Sequence, residues 1–141
     1  MASSFAELEA EIQARMRSAM QEVRSKNAID LRNEVHAFYG QGSPRLYIRT
    51  GSLAMSPQFT GVMGGANFLM FTEQLVYPSV SAFNRMRFKK AGHESYFSGN
   101  EVLSASEHNT SGVLGRGGFW ERSMEKVMDN INSAFHSAGF E

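Results

Sequence analysis

The sequence predicts an α+β domain in which a long N-terminal helix and a C-terminal helix pack on a small antiparallel sheet, in two layers. Helical periodicities occupy both ends of the 141-residue chain, and a strand, Gly-Gly, strand pattern lies between them. Helices segregated from an antiparallel sheet are typical of this class. We expect a single domain over residues 1–141. Its expected parts are a helix over 4–39, a hairpin and sheet over about 46–76, a long loop over about 78–118 and a helix over 119–137.

The first helix is predicted by a capping box and by apolar periodicity. Ser4 and Glu7 have the spacing in which a hydroxyl and a carboxylate cap a helix N-terminus. Two apolar stripes follow at steps of three and four. The first comprises Phe5, Leu8, Ile12, Met16, Ala19 and Val23, and the second comprises Ala28, Leu31, Val35 and Phe38. Either one helix changes its buried face near Asn27 or two helices meet there; we favour one long helix.

Two offset stripes on one helix can hardly both face the core of a small domain. We therefore expect one stripe to pack on the domain's own sheet and the other on a neighbouring subunit.

The hairpin is predicted by residues 59–63 (FTGVM) and 66–72 (ANFLMFT), which flank a Gly64-Gly65 pair suited to a two-residue turn. The second segment is apolar at consecutive positions, so we expect a central strand. Gly61 indicates a bulge or a close backbone approach.

The C-terminal helix is predicted by one apolar face. Its members recur at helical spacing: Trp120, Met124, Val127, Met128, Ile131 and Phe135. Gly139 can end this helix.

Composition excludes several classes of function. Fourteen basic and fourteen acidic residues cancel, so the average charge favours neither DNA nor membrane. The chain has no cysteine, which excludes disulfides, thiolate metal sites and cysteine nucleophiles. The first residues lack the basic and apolar regions of a signal peptide, and no apolar run is long enough to span a membrane.

No motif indicates catalysis. Residues 112–118 (GVLGRGG) place glycines before a helix, where backbone N–H groups can hold phosphate. No Lys-Ser/Thr follows and no βαβ unit surrounds them, so a loop entering a helix is the better interpretation. The histidines form no HxH or HxxxH pair, and no GxSxG is present. We therefore expect no enzyme, no catalytic residue, no metal and no cofactor.

Positive charge concentrates in one segment. Arg85, Arg87, Lys89 and Lys90 lie within six residues. Such a cluster can contact phosphates without sequence specificity. More often it is a solvated strand edge on which lysine discourages aggregation.

The segment YIRTGSLAMS follows the first helix. Gly51 allows a sharp turn, Arg49 offers a five-donor fork, and Leu53 begins the next apolar stretch. Taken alone, it is a hinge between helix and sheet.

In its position after a long helix and before a hairpin, this segment resembles one in the tail-completion (minor tail, head–tail joining) proteins of long-tailed bacteriophages. That family reads Arg-Thr-Gly-x-Leu with a serine a few positions later. The matching residues are Arg49, Thr50, Gly51, Leu53 and Ser56. The glycine pair and the Phe-Trp pair before the last helix are similar to the family's closing segment.

The resemblance implies a virion protein of the tail and neck, assembled in the host cytoplasm, without catalysis. It implies a homo-oligomeric ring, commonly six-fold in the family, that joins neighbouring neck proteins to the tail-tube or tail-terminator protein. We expect subunit or partner contacts from Arg49, Thr50, Gly51, Leu53, Leu31, Val35 and Phe38. The cluster Arg85, Arg87, Lys89 and Lys90 would face packaged DNA.

Three alternatives stay open. The first is another role in the same neck, as a tail terminator or a head-completion protein. The second is a small, non-specific nucleic-acid-binding module that uses the basic cluster. The third is an enzyme that holds phosphate with the glycine loop.

Overall fold

The computed structural model describes residues 4–40, 53–65, 68–76, 87–90, 93–96, 99–110 and 115–140. It confirms a small α+β fold with a long N-terminal helix, C-terminal helices and two-stranded antiparallel ladders. In chain order the elements are α1 (Phe5–Phe38), β1 (Pro57–Phe59), β2 (Met63–Gly64), β3 (Leu69–Met70), β4 (Glu73–Leu75), β5 (Arg87–Lys90), β6 (His93–Tyr96), α2 (Gly99–His108), α3 (Phe119–Glu125) and α4 (Val127–Ser137).

Helix α1 is one uninterrupted helix of 34 residues, as predicted. Ser4 caps it by accepting a hydrogen bond from the Glu7 N–H at 3.2 Å. Neither glycine nor proline occurs inside it, and alanine, glutamate and arginine favour helix. At 1.5 Å per residue it is about 51 Å long. It is therefore long enough to serve as the axis on which the other elements pack.

The four strands β1 to β4 form one antiparallel hairpin with a break in its middle. Pro57 pairs with Leu75 and Phe59 with Glu73, while nearer the tip Met63 pairs with Met70. The register of the pairing shifts by one residue across the break, so Gly61 and Val62 lie opposite the single residue Phe71. This is a β-bulge. It confirms the bulge predicted at Gly61, and no atom crowds that glycine.

Two details of the predicted hairpin are wrong. Gly64 pairs with Leu69, and the Gly65 N–H donates to the Phe68 carbonyl at 3.0 Å, so both glycines belong to the paired arm of the hairpin and the turn comes after them. The strand predicted to be central is exposed on part of its surface, since Phe68 is 60% exposed. Within the described residues this hairpin pairs with no further strand, and its strands β1 and β3 pack on α1.

The long loop predicted over 78–118 is also wrong for its described residues. Strands β5 and β6 pair in antiparallel register, with Arg87 opposite Tyr96 and Lys90 opposite His93. Helix α2 follows and buries Val102, Ala105 and Ser106. These lie at i, i+3 and i+4, so they share one face. The serine-rich composition of α2 concealed this short buried face.

The C-terminal helix is divided into α3 and α4 at Lys126, whose N–H donates to the Ser123 carbonyl three residues back. The predicted apolar face is not the buried one. The fully buried residues are Phe119, Ser123 and Ala134, and Met128 is exposed. After Phe119, it is polar and small side chains that meet α1, and the larger apolar side chains lie on a rotated, partly exposed face.

The core lies at the C-terminal half of α1. It gathers Leu31, Val35, Phe38, Leu53, Val102, Ala105 and Phe119. The rings of Phe38 and Phe119 meet edge to face with centroids 6.0 Å apart. Four separate parts of the chain therefore meet at one end of α1, while the other end extends away from the core.

Candidate functional site

The end of the RTGSL segment is a structural anchor. Leu53 is buried in the core, and the fully buried Ser56 hydroxyl donates to the Leu53 carbonyl at 2.6 Å. The Ala54 N–H donates to the Tyr39 hydroxyl, and the Val76 N–H donates to the Ser56 carbonyl. This turn ties the end of α1 to the base of the hairpin. Arg49, Thr50 and Gly51 lie outside the described residues.

The second α1 stripe is not a subunit contact. Leu31, Val35 and Phe38 were predicted at an interface, as was Leu53, but all four are buried within this chain. Their partners include Val102 of α2, a helix in the segment predicted to be a loop, and Phe119 at the start of α3, which is not on the apolar face predicted for the C-terminal helix. Since the chain itself covers this stripe, it offers nothing to a neighbour.

In the described part of the glycine loop, residues 115–118, the N-terminus of α3 that follows is already capped by a side chain of this chain. Glu107 on α2 accepts hydrogen bonds from the Trp120 and Glu121 N–H groups at 2.9 and 3.3 Å. A carboxylate therefore already caps the N-terminus of α3, where an anion would have to bind. A phosphate would meet both occupied donors and a negative charge.

The glycines of the same loop let its backbone pass very close to the end of α2. A Cβ at Gly117 would lie 2.5 Å from the Glu107 carbonyl oxygen, and Gly118 has a φ of 77°. The Gly118 N–H donates to that carbonyl at 2.7 Å. Asn109 adds a bond to the Gly115 carbonyl at 2.7 Å. The glycines thus serve close packing of α2 against α3.

The basic cluster is only partly described. Arg87, Lys89 and Lys90 are residues of strand β5, and Arg85 lies outside the described residues. Strand pairing places Lys89 opposite Glu94. The strand interpretation of this segment is confirmed, and contact with DNA stays a prediction.

A polar seam joins α1 to α3 and α4. The buried Glu34 carboxylate accepts from Arg122 Nε at 2.8 Å and from Lys126 Nζ at 3.2 Å. Arg122 Nη1 also donates to the Gly117 carbonyl. Burial raises the pKa of Glu34, but the hydrogen bonds and charges of Arg122 and Lys126 outweigh burial and hold it below its usual value.

A second part of this seam lies one turn away. Asn130 Nδ2 donates to Asn27 Oδ1 and Asp30 Oδ2, each at 2.8 Å. Asn27 in turn bonds to the Glu73 side chain on β4, whose Oε2 is buried without a partner in the described part of the chain. Burial raises the pKa of Glu73, and the Asn27 bond only partly offsets this. The seam therefore fixes the register of hairpin, α1 and α4.

The N-terminal half of α1 carries an exposed apolar surface, which we name the α1 stripe: Phe5, Leu8, Ile12 and Met16. Phe5 is 84% exposed and Ile12 is 41% exposed. Further along the same face, Ala19 and Val23 are buried. The stripe thus begins where the packing of this chain ends.

A second apolar feature, the hairpin groove, lies between α1 and the tip of the hairpin. Ala10, Gln13, Ala14, Met16 and Arg17 line it from α1, and Gly65, Phe68 and Leu69 line it from the hairpin, so Met16 belongs to both the stripe and the groove. Its volume is about 370 Å³. Arg17 borders it and lies 3.5 Å from the Val62 carbonyl. Met63 and Met70, which pair with each other across the hairpin, are also exposed.

Sequence periodicity located both apolar stripes of α1, but the one predicted at a subunit contact is buried within the chain and the other is largely exposed. The core residues outside α1 all follow residue 50, so they are closer in sequence to the C-terminal end of α1 than to its N-terminal end. This order along the chain is the signal that the prediction missed. The hairpin groove has no sequence signal, because it depends on how the hairpin tip lies against α1.

No group of three or more histidine or carboxylate side chains in the described ranges is placed to hold a metal ion. Among the same residues, no helix combines the length and the apolar character needed to cross a membrane. Comparison with protein-family models, curated proteins and solved structures finds no match for this chain. Function is therefore inferred from the described geometry and from the sequence resemblance.

Proposed function

We propose that this chain is a structural subunit of the neck of a long-tailed bacteriophage, which completes the tail and joins it to the head by assembling into a ring. The observation that carries the proposal is the pair of exposed apolar surfaces, the α1 stripe and the hairpin groove, which lie along the same stretch of α1 and adjoin at Met16. A ring contact is heterologous, so each subunit needs two different surfaces.

The anchor formed by Leu53 and Ser56 supports the same proposal. These are two of the residues that carry the resemblance to tail-completion proteins, and both are buried where the chain passes from α1 to the hairpin. The motif holds the long helix against the sheet. A subunit whose helix extends from a fixed base suits an assembly role.

The glycine loop also supports a structural role. Its amides bind the Glu107 and Asn109 side chains of this chain instead of a ligand. The proposed role needs only surfaces, which the described residues provide. The position within the neck, as completion protein, terminator or head-completion protein, is set by which neighbour binds each face of the ring.

The test is electron microscopy of the purified protein together with its mass by light scattering. We expect a closed ring with a central channel of DNA-like width. A protein that stays monomeric at every concentration and binds DNA with a steep dependence on salt would instead indicate the small nucleic-acid-binding module.

The basic cluster gives a second test within the same proposal. Arg85→Glu combined with Lys89→Glu reverses two charges that we place toward packaged DNA. We expect such virions to assemble poorly or to lose DNA. Unaffected virions would remove the DNA contact from the proposal and leave the ring in place.

A further inference from the structure

The hairpin groove contains a knob-accepting hole on α1. Ala10, Gln13, Ala14 and Arg17 stand at i, i+3, i+4 and i+7, the four positions that surround a hole in knobs-into-holes packing. Two of the four are alanines, so a neighbouring helix can approach closely. Phe68 of the hairpin, 60% exposed, forms an apolar wall beside it.

The α1 stripe supplies knobs at the same height along the helix. Ile12 is exposed on another side of α1, and the centre of the hole lies between Gln13 and Ala14. At 1.5 Å per residue these heights differ by about 2 Å. A closed ring has no rise from one copy to the next. Neighbouring α1 helices that run along the ring axis would therefore place the knob opposite the hole.

We propose that the α1 stripe of one copy docks into the hairpin groove of the next copy, with Ile12 as the central knob, so that successive α1 helices build the ring. This inference rests on the proposed ring assembly and names its contact. At 100° per residue the stripe and the hole point about 145° apart around α1. That angle is nearer to the about 120° between contacts in a six-membered ring than to the 180° of a straight row.

The area available is that of a small contact. The exposed parts of the stripe together with Phe68 amount to about 550 Å² of apolar side chain, given the 150–250 Å² of a whole aromatic residue. With about 60% of an interface apolar, this corresponds to roughly 900 Å² in total, which is in the range of weak interfaces that a closed ring reinforces because each subunit makes two of them.

Stripe-to-groove docking also explains more of the surface than pairing of two stripes. A two-fold contact between stripes would cover Ile12 and leave the hairpin groove and Phe68 in water. The heterologous contact covers both surfaces once per subunit. The charges agree with it, because Glu9 lies beside the stripe and Arg17 borders the groove.

The chain has no native cysteine, so pairs of introduced cysteines test the contact directly. In the variant with Ile12→Cys and Ala14→Cys, the two thiols of one chain lie on different sides of α1 and cannot join each other. We expect oxidation to give a ladder of covalent oligomers that ends at the ring size. Ile12→Cys alone and Ala14→Cys alone should give no ladder.

Matched controls use Ile29, which is exposed on another face of α1. Ile29→Cys with Ala14→Cys should give no ladder. Ile12→Glu should weaken self-association by at least about tenfold, and Ile29→Glu should not, with unchanged circular dichroism and Tm in both.

The outcomes separate this contact from the ring itself. A ring in micrographs with no ladder from the Ile12 and Ala14 pair would overturn the contact and leave the proposed function. Covalent dimers from Ile12→Cys alone would show a two-fold stripe contact and also overturn it. Neither ring nor ladder would overturn both.

Discussion

Replacing Glu34 by glutamine removes a buried carboxylate that joins α1 to the C-terminal helices. Glutamine keeps one acceptor, so either Arg122 or Lys126 loses its bond and then faces an amide N–H. Breaking a fully buried ion pair costs about 3–5 kcal/mol. The Arg122 side chain is 27% exposed and that of Lys126 is 47% exposed, so water compensates part of the loss. We expect a decrease of about 2–3 kcal/mol in the free energy of unfolding, or roughly 8 °C in Tm.

The pH dependence identifies the charge as the cause. The pKa of Glu34 is lower in the folded chain than its usual value of 4.5. The stability that it contributes is therefore fully present above about pH 4.5 and is lost as pH falls through the folded pKa. The difference between wild type and Glu34→Gln should stay constant from pH 7 to pH 5 and shrink below that.

Urea unfolding followed by circular dichroism measures this difference at each pH. Glu22→Gln is the matched control, because Glu22 forms an exposed i,i+4 pair with Lys26 at 3.1 Å. Its cost should be below about 0.5 kcal/mol. The reasoning is refuted if Glu34→Gln costs no more than Glu22→Gln, or if its cost is unchanged at pH 3.

Three further predictions concern other parts of the fold. Leu53→Ala should lower the free energy of unfolding by about 3 kcal/mol in urea titration, because it leaves a cavity in the core where the RTGSL segment packs. The control Met55→Ala, at a residue that is 82% exposed, should change the free energy of unfolding by less than about 0.5 kcal/mol. Glu73→Gln should raise Tm at pH 7, because burial raises the pKa of Glu73 and makes its ionised carboxylate unfavourable in the folded state. The difference in Tm from wild type should shrink as pH falls through the folded pKa toward 4.5, and a difference that does not change with pH would contradict this. Glu107→Gln should cost about 1–2 kcal/mol in urea unfolding by weakening the cap of α3, and equal loss in Glu121→Gln would show that capping is not the cause.

The elements with strong local signals were predicted from the sequence. The capping box at Ser4 and Glu7 set the start of α1, and the bond between these two residues is present. Gly61 indicated a bulge, and the register shifts there by one residue. Each signal depends on residues a few positions apart, so no tertiary information was needed.

The errors share a physical cause, since periodicity shows which side of a helix is apolar but not what covers it. Leu31, Val35 and Phe38 are covered by α2 and α3, and α2 was not predicted because its buried face is only Val102, Ala105 and Ser106. Missing that helix left the second stripe without an internal partner. The stripe was then assigned to a neighbouring subunit.

The face of α3 and α4 was mispredicted for a related reason. α4 meets α1 through Asn27, Asp30 and Asn130, which are polar and carry no weight in an apolar pattern. These amides and the carboxylate can pack there because they hydrogen-bond to one another. The spacing of apolar residues cannot predict hydrogen bonds between polar side chains that are distant in sequence.

The polar seam also bears on assembly. An apolar contact between α1 and α4 could slide by one turn at modest cost, whereas the bonds of Glu34, Asn27 and Asn130 are satisfied in one register only. That register decides how far the N-terminal half of α1 extends past the end of α4, and so how much of the α1 stripe is left exposed. If subunits meet through the stripe and the hairpin groove, a one-turn shift of α1 against the hairpin would displace the hole on α1 by about 5 Å from the Phe68 wall beside it. The buried polar contacts would then serve the accuracy of assembly as well as the stability of one chain.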